Sequence, residues 1–230
     1  MKDLNINVQY ITRVEGHGNI IVNVKDGKIE KINLEITEAP RFFEGFMVGR
    51  PWYEISHISC RICGICSVGH STASIRATEE AFNIIPSEQT IMLRKLNLYA
   101  EIIQSHILHL YFLSVPDFLN ATSAFALIPT NQEAVLRGLK LKKLANDFSG
   151  LICGRHIHNL SQVVGGYTKI PDKSGIENIL SRLEEALPDL EATVELFKTI
   201  EIPKFERETE YISLQSDDEY ALYDGFIYSS

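Results

Sequence analysis

Residues Ser59–His70 read SCRICGICSVGH. Three of the four cysteines in the chain fall inside this stretch, at Cys60, Cys63 and Cys66, and His70 closes it. The spacing is C-x-x-C-x-x-C-x-x-x-H. Thiolates packed this closely in a chain of 230 residues are not a disulfide framework; such clusters read as metal-binding or catalytic. What the cluster holds decides what the chain is.

Four readings compete. An iron–sulfur cluster of the ferredoxin kind uses C-x-x-C-x-x-C-x-x-x-C-P. Here His70 stands at the fourth cysteine and Ser71 at the proline, so Cys153 would have to serve as a distant fourth ligand. A zinc site could draw on Cys63, Cys66 and His70, but a structural zinc closes with four ligands, and no second C-x-x-C or H-x-x-x-H follows. Free buried thiols are a third reading, since cysteine fills cores well, although a glycine-bearing turn is a poor place for three of them. In the fourth, Cys63 and Cys66 form half of a binuclear site. Gly64 lets the backbone pass close to a bound group, a helix start favours the thiolate form, and soft thiolates suit nickel and iron. Two further thiolates must then come from elsewhere.

Outward from this stretch the patterning changes twice. Before it, NINVQYI alternates, and Asn19–Val24 and Lys28–Ile36 read as strands paired across Asp26-Gly27, a dipeptide suited to a type I′ turn. From Pro40 the period suits short helices. Ser67–Asn83, Ser87–Leu113 and Asn131 to about Gly165 are predicted helical, with a loop around VPDFLNATSAFALIPT. Ser174 to about Phe197 is predicted as one amphipathic helix, with Ser174 and Glu177 as its capping box. EYALYDGFIYSS then reads as a second hairpin, turning at Asp224-Gly225.

The expected fold is α+β: a small N-terminal antiparallel sheet, a bundle of long helices, and a further β element beginning at the C-terminal end. The expected divisions of one structural domain are 1–38, 39–200 and 201–230. An apolar strand running up to Ser230 leads to the expectation of a longer or split parent protein.

The net charge of −8 and pI near 5.4 exclude a basic nucleic-acid surface. The N-terminus lacks the basic start and apolar run of a signal peptide. No window reaches the roughly 18 apolar residues of a membrane span. A cytoplasmic location is expected.

RICGICSVGH resembles the N-terminal metal motif of NiFe hydrogenase large subunits. ITRVEGHG at Ile11–Gly18 resembles that family's R-x-E-G-H signature. RFFEGFMVGRP at Arg41–Pro51 resembles the segment before the cysteine pair. LYAEIIQSHILHLYFLSVPDFL at Leu98–Leu119 resembles its long helix and exit loop. GRHIHNLSQVVGGYTKIP at Gly154–Pro171 resembles its G-R-x-x-H segment. The likeness runs the length of the chain, in order, and lies nearer the soluble, cofactor-coupled enzymes than the membrane-bound uptake type.

The resemblance implies a reversible conversion of H2 to two protons and two electrons. It implies a nickel–iron centre with carbon monoxide and cyanide on the iron, Cys63 as a terminal nickel ligand and Cys66 bridging the metals. His70, one turn after Cys66, would hydrogen-bond the Cys66 sulfur. Glu15 would relay the proton. Glu44 would stand at a magnesium or similar divalent site. His17 would be structural. Cys60 has no assigned role; Cys153 is expected in the core; His106, His109, Arg155, His156 and His158 are not read as catalytic.

The implied partners are an iron–sulfur small subunit, maturation proteins and further electron-acceptor subunits, with H2 as substrate. The family's second cysteine pair, in D-P-C-x-x-C-x-x-H, is not in these 230 residues, so this chain would supply half of the ligands and would be inactive alone. Three rivals remain: an iron–sulfur electron-transfer protein on the four cysteines, a non-catalytic hydrogenase-like subunit of an electron-transfer complex, and a free-standing fragment with no function.

Overall fold

Alternating side chains and the Asp26-Gly27 turn generate the first element pair of the structure, a computed structural model that describes residues 3–230. β1 (Leu4–Val8), β2 (Gly18–Lys25) and β3 (Lys28–Ile36) form an antiparallel sheet in that order. Lys25 faces Lys28 across the turn, where Asp26 and Gly27 both take positive φ (50° and 75°), as a type I′ turn requires. A register shift at Asn23/Val24 bends β2. Residues up to Arg50, including α1 (Pro40–Met47), form one compact unit, and Pro51–Ser230 form a second.

The second unit is helical. α2 (Trp52–Ser59) leads through the cysteine turn into α3 (Ser67–Phe82). α3 stops where Asn83 turns left-handed (φ 54°). α4 (Glu88–Leu108) begins at Ser87, whose hydroxyl accepts from the Thr90 N–H at 3.3 Å. It passes into a π-helical turn at His109–Ser114 and then into α5 (Val115–Phe118). Pro116 has no N–H to return to the Phe112 carbonyl, so the α-helical ladder cannot run through it.

α6 (Ile128–Cys153) is kinked at Asn131, where the sequence places a helix start. It packs along α4. Leu93, Ala100, Ile107 and Tyr111 meet Ala134, Leu141, Leu144, Phe148 and Ile152, with Ile179 and Ala186 completing the core. Each such aliphatic side chain contributes about 1.5–3 kcal/mol by leaving water. Gly138 makes the close approach: a Cβ there would lie 2.7 Å from the Tyr111 ring.

Four sequence expectations are corrected. α6 ends at Cys153, not near Gly165, because Gly154 takes the left-handed conformation (φ 75°) and its N–H closes on the Gly150 carbonyl at 2.8 Å. Residues 154–168 instead form a loop with a two-residue ladder, β4 (Gln162–Val163) against β5 (Gly166–Tyr167).

The helix expected from Ser174 to Phe197 is two, α7 (Lys173–Glu185) and α8 (Leu187–Lys198), because Pro188 starts a new helix. The α7 cap is Asp172, not Ser174. Asp172 Oδ1 accepts from the Gly175 N–H and the Ser174 hydroxyl, both at 2.7 Å.

Asp224-Gly225 makes no hairpin turn. β6 (Ile212–Gln215) pairs with β7 (Phe226–Ser229), and residues 216–225 cross between them. Tyr223 is buried against Val68 and Leu98. Arg76 stacks on its ring at 4.5 Å and binds Asp224 at 2.6 Å. Arg76 also donates to the Tyr223 carbonyl, the acceptor that a tight turn at Asp224-Gly225 would have used.

Candidate metal centre

The cysteine turn is held from both sides of the chain. Cys60 extends α2 by one more bond, its N–H donating to the Ser56 carbonyl at 3.2 Å. The N–H groups of Arg61 and Ile62 close tight turns onto Ile58 and Ser59. Cys66 then occupies the N-cap position of α3 without a side-chain capping bond. Its N–H donates to Cys63 Sγ at 3.2 Å, the hydrogen bond expected of a C-x-x-C turn leading into a helix.

Cys63 is buried (7% exposed) and Cys66 is exposed. Their Cα atoms are 5.5 Å apart and their sulfurs meet, bonded as a disulfide in this structure; a metal site takes the same two sulfurs as separate thiolates. Two soft donors converge, one of them facing outward. Among the described residues, no group of three or more His, Cys, Asp or Glu side chains is placed to hold a metal. The four-cysteine iron–sulfur cluster and the Cys63–Cys66–His70 zinc site are therefore not assembled. The donor set fits half of a larger thiolate cage.

The other two cysteines are free and buried. Burial pushes the Cys153 thiol up to about 12, and burial likewise raises Cys60, against the pull of Arg61 and Arg155. Cys60 Sγ lies 3.2 Å from the His57 carbonyl oxygen. Cys153 is a core residue, as its sequence context suggests.

His70 is half-buried on the first turn of α3. Its N–H donates to the Cys66 carbonyl at 3.2 Å, and its own carbonyl accepts from the Ser59 hydroxyl at 3.3 Å. Glu15 and Glu44 belong to the other compact unit, and both are exposed. Glu44 lies 3.5 Å from Arg41 one turn earlier on α1. His17 pairs with Glu38: its ring meets the carboxylate at 2.5 Å, and its N–H donates to the same carboxylate at 3.2 Å.

The segment Gly154–Pro171 has a role that its motif alone did not reveal. His158 turns left-handed (φ 57°), donates its N–H to Ser67 Oγ at 3.0 Å and brings its ring nitrogen to the Cys60 carbonyl at 2.8 Å. Asn159 and Ser71 exchange hydrogen bonds at 2.7 and 3.0 Å. Gln162 donates to Thr72 Oγ1 at 2.9 Å. Ile157 lies against Gly64 at van der Waals distance. The segment thus clips the cysteine turn to the first two turns of α3.

Sequence reading also missed a buried polar stripe on α4. Arg94, Asn97, Glu101 and Gln104 are all buried and recur at helical spacing. That spacing was the available signal. Arg94 (0% exposed) grips Glu79 with two bonds of 2.6 and 2.8 Å, and Gly165 donates to Glu79 at 2.7 Å. Burial alone would raise the Glu79 carboxyl, but the Arg94 guanidinium and the Gly165 N–H outweigh it and hold the group below its usual range. Glu101 accepts from the N–H groups of Val68 (2.6 Å) and Gly69 (2.9 Å), and Gln104 donates to the Ile65 carbonyl at 3.4 Å.

The helical bundle and the cysteine turn at a helix start define a class: a helical chain that presents a C-x-x-C sulfur pair at the head of a buried helix. A family model for nickel-dependent hydrogenases matches residues 41–138, and a HoxL-like model matches residues 5–39. The chain belongs to the nickel-dependent hydrogenase large-subunit family.

Sulfhydrogenase 2 subunit alpha of Pyrococcus furiosus is 36% identical over 85% of this chain and 48% of its own length. Sulfhydrogenase 1 subunit alpha of the same organism is 34% identical over 99% of this chain and 54% of its own length. The solved structure of an NAD+-reducing NiFe hydrogenase in the H2-reduced state superposes with a TM-score of 0.89 at 28% identity, over 98% of this chain and 54% of that one. The chain spans about half the length of the curated relatives it matches. The α+β fold read from the sequence is the fold of that structure.

Proposed function

We propose that this chain contributes the first half of a nickel–iron site in a hydrogenase that interconverts H2 with two protons and two electrons. The observation that carries the reading is the convergence of Cys63 and Cys66 at the start of α3, in a chain whose relatives are hydrogenase subunits. Cys63, buried, would hold the nickel as a terminal ligand, and Cys66, exposed and with lone pairs for two metals, would be the bridging ligand to an iron carrying carbon monoxide and cyanide. When bound, the centre supplies Lewis acidity that polarises H2 and a sink for its electrons.

The chain's own residues do the rest. The α3 N-terminus stabilises thiolate charge at both sulfurs. His70, on the first turn, tunes the Cys66 sulfur. Glu15 relays protons, on the strength of its place in ITRVEGHG. Glu44, an exposed carboxylate, offers a hard oxygen ligand to magnesium or a similar divalent ion.

A second thiolate pair, an iron–sulfur small subunit, maturation proteins and further electron-acceptor subunits complete the proposal. The likeness to an NAD+-reducing enzyme supports a cytoplasmic, cofactor-coupled type; among the described residues no helix is long and apolar enough to cross a membrane. The test is metal analysis of the native complex. Nickel is expected, with infrared bands of carbon monoxide and cyanide, and with iron in excess of nickel because the small subunit's clusters add their own. Iron and sulfide on this chain without nickel would overturn the reading in favour of an electron-transfer protein.

A further inference from the structure

A helix start usually caps itself with the N-cap side chain. The N-cap of α3 is Cys66, and its side chain makes no capping bond. The orphan N–H groups of that first turn are instead taken by a carboxylate from another helix. Glu101, 8% exposed on α4, receives Val68 N–H on one oxygen (2.6 Å) and Gly69 N–H on the other (2.9 Å). One turn further along α4, Gln104 donates to the Ile65 carbonyl at 3.4 Å. The two side chains therefore bracket Cys66, one holding N–H groups after it and the other a carbonyl before it.

We propose that Glu101, seconded by Gln104, is a positioning residue for Cys66. It caps α3 from a neighbouring helix so that the Cys66 side chain stays free to ligate metal. The proposal rests on the nickel–iron reading above. A local Ser or Asp cap at position 66 would satisfy the same N–H groups without burying a carboxylate, but it would occupy the position that the sulfur must hold. Burial pushes the Glu101 carboxyl up to about 7 despite the two N–H donors. Glu101 does not touch the reacting atoms in this account; it acts through the backbone of Val68 and Gly69.

The experiment uses the native complex carrying wild-type chain, Glu101→Gln or Glu101→Leu. Glu101→Gln preserves the shape and one acceptor oxygen; Glu101→Leu removes both acceptors. In the nickel-loaded fraction, the carbon monoxide and cyanide bands should shift and broaden, more in Glu101→Leu than in Glu101→Gln. Bands that coincide with wild type in both variants overturn the proposal. Amide hydrogen exchange is the readout that needs no metal. The Val68 and Gly69 amides should exchange about tenfold faster or more in Glu101→Leu, the effect of losing one charge-assisted hydrogen bond. Unchanged exchange at those two amides also overturns it. Wild-type complex without nickel would instead defeat the parent reading, and the positioning role would fall with it even if exchange showed the clasp intact.

Discussion

At the scale of single residues, what separates the four cysteines is their surroundings. Cys63 and Cys66 meet at a helix start, while Cys60 and Cys153 are buried thiols held above their usual range. After mild reduction, a thiol alkylator at neutral pH should therefore label Cys66 first and leave Cys153 unlabelled until the protein unfolds; peptide mapping by mass spectrometry reads the order.

Glu101 makes a second prediction. Its carboxyl ordinarily titrates near 4.5 and is pushed up to about 7 by burial. Between those values the folded protein binds more protons than the unfolded chain, so the stability it contributes is full below about 4.5 and is lost as pH rises through about 7. The loss should be on the order of 1–3 kcal/mol. Denaturant midpoints measured from pH 4.5 to 8 should fall with pH in the wild type, and the fall should flatten in Glu101→Gln.

At the scale of elements, α4 is the organising helix. One face packs on α6 and the other carries the buried polar stripe. Replacing Arg94 by Ala leaves Glu79 buried without its counter-ion and should cost about 3–5 kcal/mol, read as a lowered unfolding midpoint. Gly138→Ala forces the Tyr111 ring away from α6 and should cost about 1–3 kcal/mol.

These same elements show what the sequence could reveal. The N-terminal hairpin was legible because Asp26-Gly27 and the alternation on both sides agree. α3 and α4 were legible from their periodicity. The end of α6 was not, because GRHIHNLSQ continues a plausible helical pattern and only Gly154 turns the backbone away. The last turn failed for another reason: Arg76 and the burial site of Tyr223 are long-range partners that no local pattern announces. The closeness of Cys63 and Cys66 was legible from their C-x-x-C spacing, whereas the choice of these two as the metal pair came from the family resemblance. The pair's support from Glu101, Gln104 and His158 was not legible, since those bonds join residues 32 or more positions apart.

At the scale of the molecule, the central claim is that Cys63 and Cys66 supply half of a nickel–iron site. The most direct test is sulfur coordination of nickel, measured by X-ray absorption on the native complex with wild-type chain, Cys63→Ser and Cys66→Ser. The account predicts nickel in a sulfur-rich shell in the wild type, and loss of nickel or of a sulfur neighbour in each variant. Nickel that keeps the same number of sulfur neighbours in both variants would contradict it.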